Sequence, residues 1–283
     1  MREPLVRQQI DADSSTRSAI GQTQHPAMQM LRKVPQVTVF FWIVKLLTTA
    51  MGESTTDYLV YHINPFIAVA LGCVGLVVAL ILQLVVRRYV PWIYWLAVLM
   101  VAVFGTMAAD VIHIELGVSY LASTIFFTVA LAAIFIVWYA CEKTLSIHSI
   151  TTRRRELFYW ATVMTTFALG TATGDMSAST LKLGYLTSGL LFTALIALPA
   201  LGYLLFRLNE ILAFWFAYIV TRPLGASFAD WVGKPQSVRG LGLGDGKVSL
   251  VLAILIVGFV GYLTVTCKDE MKSLNSSGKA KRL

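Results

Sequence analysis

One pattern, written four times, constrains this chain more than any other feature. An aromatic residue stands beside a Trp, Gly follows ten residues after the Trp, and Asp follows five residues after the Gly. The copies are Phe41-Trp42 with Gly52 and Asp57, Tyr94-Trp95 with Gly105 and Asp110, Tyr159-Trp160 with Gly170 and Asp175, and Phe214-Trp215 with Gly225 and Asp230. No insertion disturbs the spacing, which marks an internal repeat of about 55 residues. Each copy also sets a carboxylate in or beside an apolar stretch, where ionisable groups are costly and rarely idle.

The composition says what solvent those stretches meet. Of 283 residues, 57% are hydrophobic and only 13% charged, with mean hydropathy +0.71, a balance that points to a polytopic membrane protein. Apolar runs fall at roughly 36–58, 65–86, 91–113, 118–140, 157–179, 183–206, 209–231 and 248–267, each long enough to cross ~30 Å of hydrocarbon. The expected fold is therefore all-α, a bundle of eight transmembrane helices built as four parallel two-helix repeats.

Residues 1–32 are polar and lack an early apolar core, so they read as a cytoplasmic tail rather than a cleavable signal. The transmembrane domain is expected over 33–267, with repeats at about 33–86, 87–140, 156–206 and 207–267, and a basic cytoplasmic tail over 268–283. With the N-terminus inside, Arg87, Arg88, Lys143, Arg153, Arg154, Arg155, Arg207 and the Lys-rich tail share the cytoplasmic side, while Lys182, Lys234, Arg239 and Lys247 lie outside. The positive-inside rule thus favours an inner (plasma) membrane protein with both termini cytoplasmic, and the net charge of +8 needs no nucleic-acid partner.

Two spans per unit give all four units one orientation, unlike inverted repeats. The motif-bearing helices run outward, and Trp to Asp covers about 22 Å. Four such helices around one axis would bring the Asp residues to one depth. The linker 141–156 reads first as a charged topogenic loop and second as a hinge between halves. The Gly-rich stretch 240–247 misses the phosphate-loop spacing at Leu241 and Val248 and reads as a flexible outer loop. Cys73, Cys141 and Cys267 form no metal or disulfide pattern.

Chemistry concentrates on the odd helices. Lys45, Thr49, Glu53 and Asp57 follow at intervals of four and form one polar stripe. Its equivalents are Thr106 and Asp110, Thr171 and Asp175, and Arg222 and Asp230, with His113 three residues beyond Asp110. Five carboxylates (Glu53, Asp57, Asp110, Asp175, Asp230) face two cations (Lys45, Arg222), an excess of three negative charges to be relieved by water, protons or a bound cation. Oxygen ligands of this kind suit hard ions such as magnesium, calcium or manganese, and His113 also admits a borderline metal. Lys45 and Arg222 are expected as internal counter-ions, each reaching a carboxylate of another repeat. Packing explains the Gly positions, and packing or interfacial anchoring the Trp positions.

The segment Lys33-Val-Pro-Gln-Val-Thr-Val-Phe-Phe-Trp-Ile-Val-Lys45, continuing to Thr48-Thr-Ala-Met-Gly-Glu-Ser54 and Asp57, resembles a bacterial family of four-repeat integral membrane proteins of unknown function. Members are often called uncharacterised membrane-anchored proteins. The resemblance runs through about residues 33–267 and implies a four-repeat membrane protein. Only the first copy has carboxylates at both stripe positions, since Thr171 and Ala226 replace its Glu in the third and fourth.

The leading functional expectation is a secondary transporter of a cation, divalent and such as manganese, exchanged for protons. Glu53, Asp57, Asp110, Asp175 and Asp230 would coordinate the ion, with Thr49, Thr106, Thr171 and His113 as neutral ligands. The alternative is a non-transporting membrane scaffold or sensor, with the Asp residues capping helices. A membrane redox enzyme, using His62 and His113 as haem ligands, ranks third. No nucleophile stands at a catalytic motif. No enzyme activity and no cofactor are expected.

Overall fold

The computed structural model describes residues 32–114, 116–206 and 208–266, so the two tails, Arg207 and Cys267 lie outside the described residues. Among these residues eight long helices appear: α1 (Val39–His62), α2 (Pro65–Val85), α3 (Pro91–Ile114), α4 (Tyr120–Glu142), α5 (Arg153–Asp175), α6 (Tyr185–Phe206), α7 (Glu210–Gly233) and α8 (Asp245–Thr266). Their starts are written in the sequence. Thr38, Asn64, Ser119, Thr152 and Asn209 each accept a hydrogen bond from a first-turn N–H, and Pro65 occupies the first turn of α2, where its missing donor costs nothing.

The odd helices form a closed inner ring in which α1 packs on α3, α3 on α5, α5 on α7 and α7 back on α1. Each outer helix packs chiefly on the inner helix of the following repeat. Thus α2 lies on α3, α4 on α5, α6 on α7, and α8 closes the circle on α1. No repeat can bury its own face alone, so the four units stabilise one another as a ring. The outer helices turn Val77, Ile125, Leu190 and Ile254 outward, which suits lipid.

Six helices are long and apolar enough to cross a membrane by length and composition. The other two, α1 and α5, belong to the inner ring, where neighbours shield their polar faces from lipid. The sequence predicts eight runs of spanning length, and α1 and α5 fall short of the other six in hydropathy because their polar faces are turned into the ring.

The repeated Gly makes the joints of the ring. Gly52 lies against Ala102, Gly105 against Phe167, Gly170 against Arg222 and Gly225 against Thr49. Every partner stands three residues before the Gly of its own repeat. A Cβ added at Gly105 would come 3.0 Å from the Phe167 Cβ, one at Gly170 would come 2.6 Å from the Arg222 Cβ, and one at Gly225 would come 2.9 Å from the Thr49 Cβ. Helices this close have no room for a side chain, which is why the position is written as Gly each time.

The repeated aromatic pairs make a second cyclic set nearer the helix N-termini. Phe41 meets Trp95, Tyr94 meets Trp160, Tyr159 meets Trp215 and Phe214 meets Trp42, with ring centroids 5.7, 5.7, 6.3 and 5.8 Å apart. The Tyr94 and Tyr159 hydroxyls hydrogen-bond at 2.5 Å, and Tyr218 packs on Phe41, Phe214 and Trp215. This belt fills the axis at the end of the bundle that also holds the 143–152 linker.

The linker is tied down. It contains a short 3-10 helix at Ile147–Ser149, buries Ile147 and Ile150, and receives the Trp215 indole N–H on the Leu145 carbonyl at 2.9 Å. Beside it, Lys33 pairs with the fully buried Glu156 at 2.5 Å, and Gln83 donates to Glu156 at 3.1 Å and to the Lys33 carbonyl at 3.3 Å. The Gly-rich stretch at the other end differs from the flexible loop its composition suggests. The N–H groups of Leu241, Gly242, Leu243 and Gly244 bond the carbonyls of Trp231, Lys234, Val232 and Gly233, capping the last turn of α7. Gly242 and Gly244 supply the positive φ that this fold-back requires.

Candidate functional site

Above the belt the inner ring becomes polar, one tier per turn. One residue beyond the Gly joint stand Glu53, Thr106, Thr171 and Ala226. The fourth repeat contributes no polar group there, but its Arg222, one turn earlier, reaches into the tier from below. The Arg222 Nη2 donates to Glu53 Oε2 at 2.6 Å, to Thr171 Oγ1 at 2.9 Å and to Thr106 Oγ1. One guanidinium nitrogen therefore touches all three other repeats. Arg222 is fully buried and Glu53 nearly so, and the Arg222 Nε and Nη1 find no hydrogen-bond partner among the described residues. Pro223 follows directly and presses its ring towards Gly170, holding α5 and α7 together at the level of the guanidinium.

One turn further along, the tier of four Asp residues is not symmetric. Ligand oxygens of Glu53, Asp175 and Asp230, from three different repeats, lie within 4.8 Å of one another. Asp230 is buried, and its Oδ1 has no hydrogen-bond partner among the described residues. Asp175 ends α5, where the helix widens into a single π-helical turn, Met176–Thr180. Such a turn re-aims side chains and recurs at functional sites. Asp57 is drawn aside into an ion pair with Lys234 at 2.5 Å, and Asp110 is half-buried on α3 outside the three-carboxylate group.

Lys234, the C-cap of α7, is a member of this tier that sequence reasoning assigned only to the outer loop. Desolvation works to lower its ammonium pKa, but Asp57 and Asp230 outweigh it and hold the group above the ordinary lysine range. It stands four residues after Asp230, so the series Arg222, Ala226, Asp230, Lys234 at helical spacing was the signal available for it.

Other expected residues are placed differently. Lys45 is fully buried yet pairs with no carboxylate among the described residues, and its Nζ lies 3.5 Å from the Tyr218 ring centroid and 4.7 Å from that of Phe167. The expected ion pair fails because Lys45 lies two helical turns below Glu53, at a level where the neighbouring inner helices present rings. Thr49 lies under Gly225 and spends its hydroxyl on the Leu46 carbonyl at 2.7 Å. His113, expected beside Asp110, instead bonds the Val118 carbonyl at 2.6 Å and stacks on Tyr120 with centroids 3.4 Å apart. A ring engaged on both an edge and a face is part of the α3–α4 turn.

The arrangement places three carboxylates in a mostly buried cup whose floor is a guanidinium. Such a cup can take a small cation on oxygen ligands, or protons, while Arg222 holds part of the negative charge in its absence. The Lys33, Gln83 and Glu156 cluster lies at the opposite end and belongs to the linker's anchorage.

No curated protein and no solved structure matches the chain. A family description does match, four times, over residues 40–89, 93–144, 158–209 and 213–269, each copy holding one inner and one outer helix. The chain thus belongs to the family described as Repeat of Unknown Function (DUF347).

Proposed function

We propose that this protein is a secondary transporter of a cation, divalent and such as manganese, exchanged for protons along the axis of the inner ring. The observation that carries the reading is the convergence of Glu53, Asp175 and Asp230 from three repeats, directly above the buried Arg222 that already holds Glu53. Three carboxylates and one guanidinium leave two negative charges in the cup, the balance that a divalent cation or two protons would neutralise. Thr106 and Thr171 would add neutral oxygens, and Lys234 would keep Asp57 out of the cup until an arriving ion competes for it. The aromatic belt closes the axis on the far side of Arg222, so the ion would reach the cup from the carboxylate end in this conformation. Positive-inside charge supports a plasma-membrane orientation with that end outward and both termini cytoplasmic. The reading assigns a carrier and no catalytic chemistry.

The second reading, a scaffold or sensor, draws on the tight Gly joints, which leave the ring little freedom to open. Divalent-cation flux into proteoliposomes distinguishes the two. Asp175→Asn and Asp230→Asn are expected to insert normally and to lower flux at least tenfold. Parental flux no greater than that of empty liposomes would leave the scaffold reading standing, and parental flux retained in both variants, at equal reconstitution, would rule out the carboxylate cup as the ion site.

A further inference from the structure

The repeats depart from symmetry in one place that the axial site does not use. Between α7 and α1, at the linker end, lies a cavity of about 670 Å³, within the usual range for small-molecule sites. Its body is formed by Trp42, Ile196, Pro199, Tyr203, Phe214 and Ala217, and its rim by Ser146, His148 and Glu210.

The equivalent groove between α5 and α7 is filled. There Phe135 and Trp138 of α4 pack on Trp215, with centroids 5.2 and 5.8 Å away, and Trp138 is fully buried. The second and third repeats align without a gap, Tyr120 and Tyr185 each standing fifteen residues after the motif Gly. On that register Phe135 corresponds to Ala200, Trp138 to Tyr203 and Trp215 to Trp42. The third repeat has exchanged two large aromatics for an Ala and a Tyr, and Tyr203 is 52% exposed where Trp138 has no exposure. Pro199 adds a helix-interior proline one residue earlier. Loss of filling side chains ordinarily costs stability, so a hollow of this size on an otherwise complete ring points to an occupant.

We propose that the cavity binds one phospholipid of the ethanolamine type, an acyl chain in the apolar body and the headgroup at the rim. The body is apolar, and the rim lies where α6 ends and α7 begins, the level of a membrane interface. Glu210 is exposed and offers an acceptor to a primary ammonium, and once the ammonium has taken that carboxylate, the ring N–H of His148, whose Nε2 lies 3.7 Å from it, is released to the phosphate. Burial, with Arg32 adding to it and Glu210 opposing, holds the His148 pKa below its usual value, so Glu210 is the anion of the rim and His148 is not a second cation beside it. An anionic glycerol headgroup brings no cation to Glu210. A quaternary ammonium has no N–H to give, which leaves the primary ammonium as the better match. The proposal stands on the cavity alone and is independent of cation transport.

Native mass spectrometry of the full chain in detergent, with phosphatidylethanolamine, phosphatidylcholine and phosphatidylglycerol of matched acyl chains, tests it. The parent is expected to retain one phosphatidylethanolamine about tenfold more strongly than either competitor. The double variant Tyr203→Trp/Ala217→Phe, which enlarges two residues of the cavity wall, is expected to lose that molecule. Glu210→Gln, at an exposed position, is expected to retain lipid but to hold ethanolamine and choline forms equally. Equal retention of all three lipids by the parent would overturn the proposal, as would unchanged retention in the folded double variant. If the double variant does not fold, Glu210→Gln decides, and a persisting preference for the ethanolamine form there would be equally fatal.

Discussion

The two ends of the inner ring treat the fourfold repeat in opposite ways. At the linker end the aromatic contacts along the axis keep the symmetry, though the flank between α7 and α1 does not: four aromatic residues meet four Trp residues of the following repeat, with centroid distances from 5.7 to 6.3 Å. At the carboxylate end symmetry is broken, and the tier after the Gly joint reads Glu53, Thr106, Thr171 and Ala226 around a single Arg222. The difference follows from what each layer does. A joint between neighbouring helices occurs four times and can be built four times from the same residues. An axis occurs once, and four guanidinium groups or four unpaired carboxylates meeting there would repel one another without water to screen them. Shape is therefore repeated and charge is divided among the repeats.

The harshest test of the repeated part is to add volume at a joint. Gly170→Leu would drive a side chain into the Arg222 stem and the Pro223 ring, neither of which is a free chain end. Loss of monodisperse protein on detergent gel filtration is expected, because the inner helices must separate. Gly258→Ala, with nothing within 4 Å of the added Cβ, is the matched control and should behave as the parent. A normal profile for Gly170→Leu would mean that the ring is looser than its joints imply.

Next in size is the divided part. Arg222→Met leaves Glu53 buried without its cation and should destabilise by about 3–5 kcal/mol, read as a lowered thermal midpoint. Adding Glu53→Gln to it should recover much of the loss, since a neutral amide no longer demands a counter-charge. A double variant as unstable as the single one would show that Arg222 matters for its packing against Gly170 rather than for its charge.

A smaller effect is expected in the belt. Tyr159→Phe removes one hydroxyl of the Tyr94–Tyr159 pair and leaves the other buried without that partner, a loss of about 1–3 kcal/mol. Tyr94→Phe/Tyr159→Phe, which removes both hydroxyls and matches the Phe residues of the first and fourth repeats, should be the milder change. Thermal midpoints of the two variants measured side by side check the ordering.

What was legible in the sequence tracks the same division. Eight helices follow from the eight apolar runs and their parallel pairing from the fourfold spacing of Trp, Gly and Asp, while the inner position of the odd ones was the condition under which their polar stripes could converge. The swap of each outer helix onto the next repeat was not legible: α2 reads equally well as a partner for α1 or α3, and only three-dimensional closure chooses. The polar stripe was legible on each helix, but its pairing was not. Glu53 and Arg222 are 169 positions apart, and Lys234 seemed an outer-loop charge until the end of α7 brought it to Asp57. His113 looked close to Asp110 by helical spacing, yet the turn into α4 supplied Val118 and Tyr120 as nearer partners.

Lys45 and Arg222 make the sharpest contrast, since both are cations with almost no exposure inside the same ring. Arg222 has a carboxylate and two hydroxyls; Lys45 has the faces of Tyr218 and Phe167. A desolvated cation over an aromatic face gains about 2 kcal/mol, while burying an amine without a hydrogen-bond partner costs a similar amount or more. The two effects oppose one another, so Lys45→Met, which keeps the unbranched stem and discards the amine, should shift the thermal midpoint by the least of all these variants and leave it level or raised. Arg222→Met, the same kind of change one turn below Glu53, should lower it. Equal losses in the two would mean that Lys45 depends on an anionic partner after all, and that the division between a ring-supported and a carboxylate-supported cation is wrong.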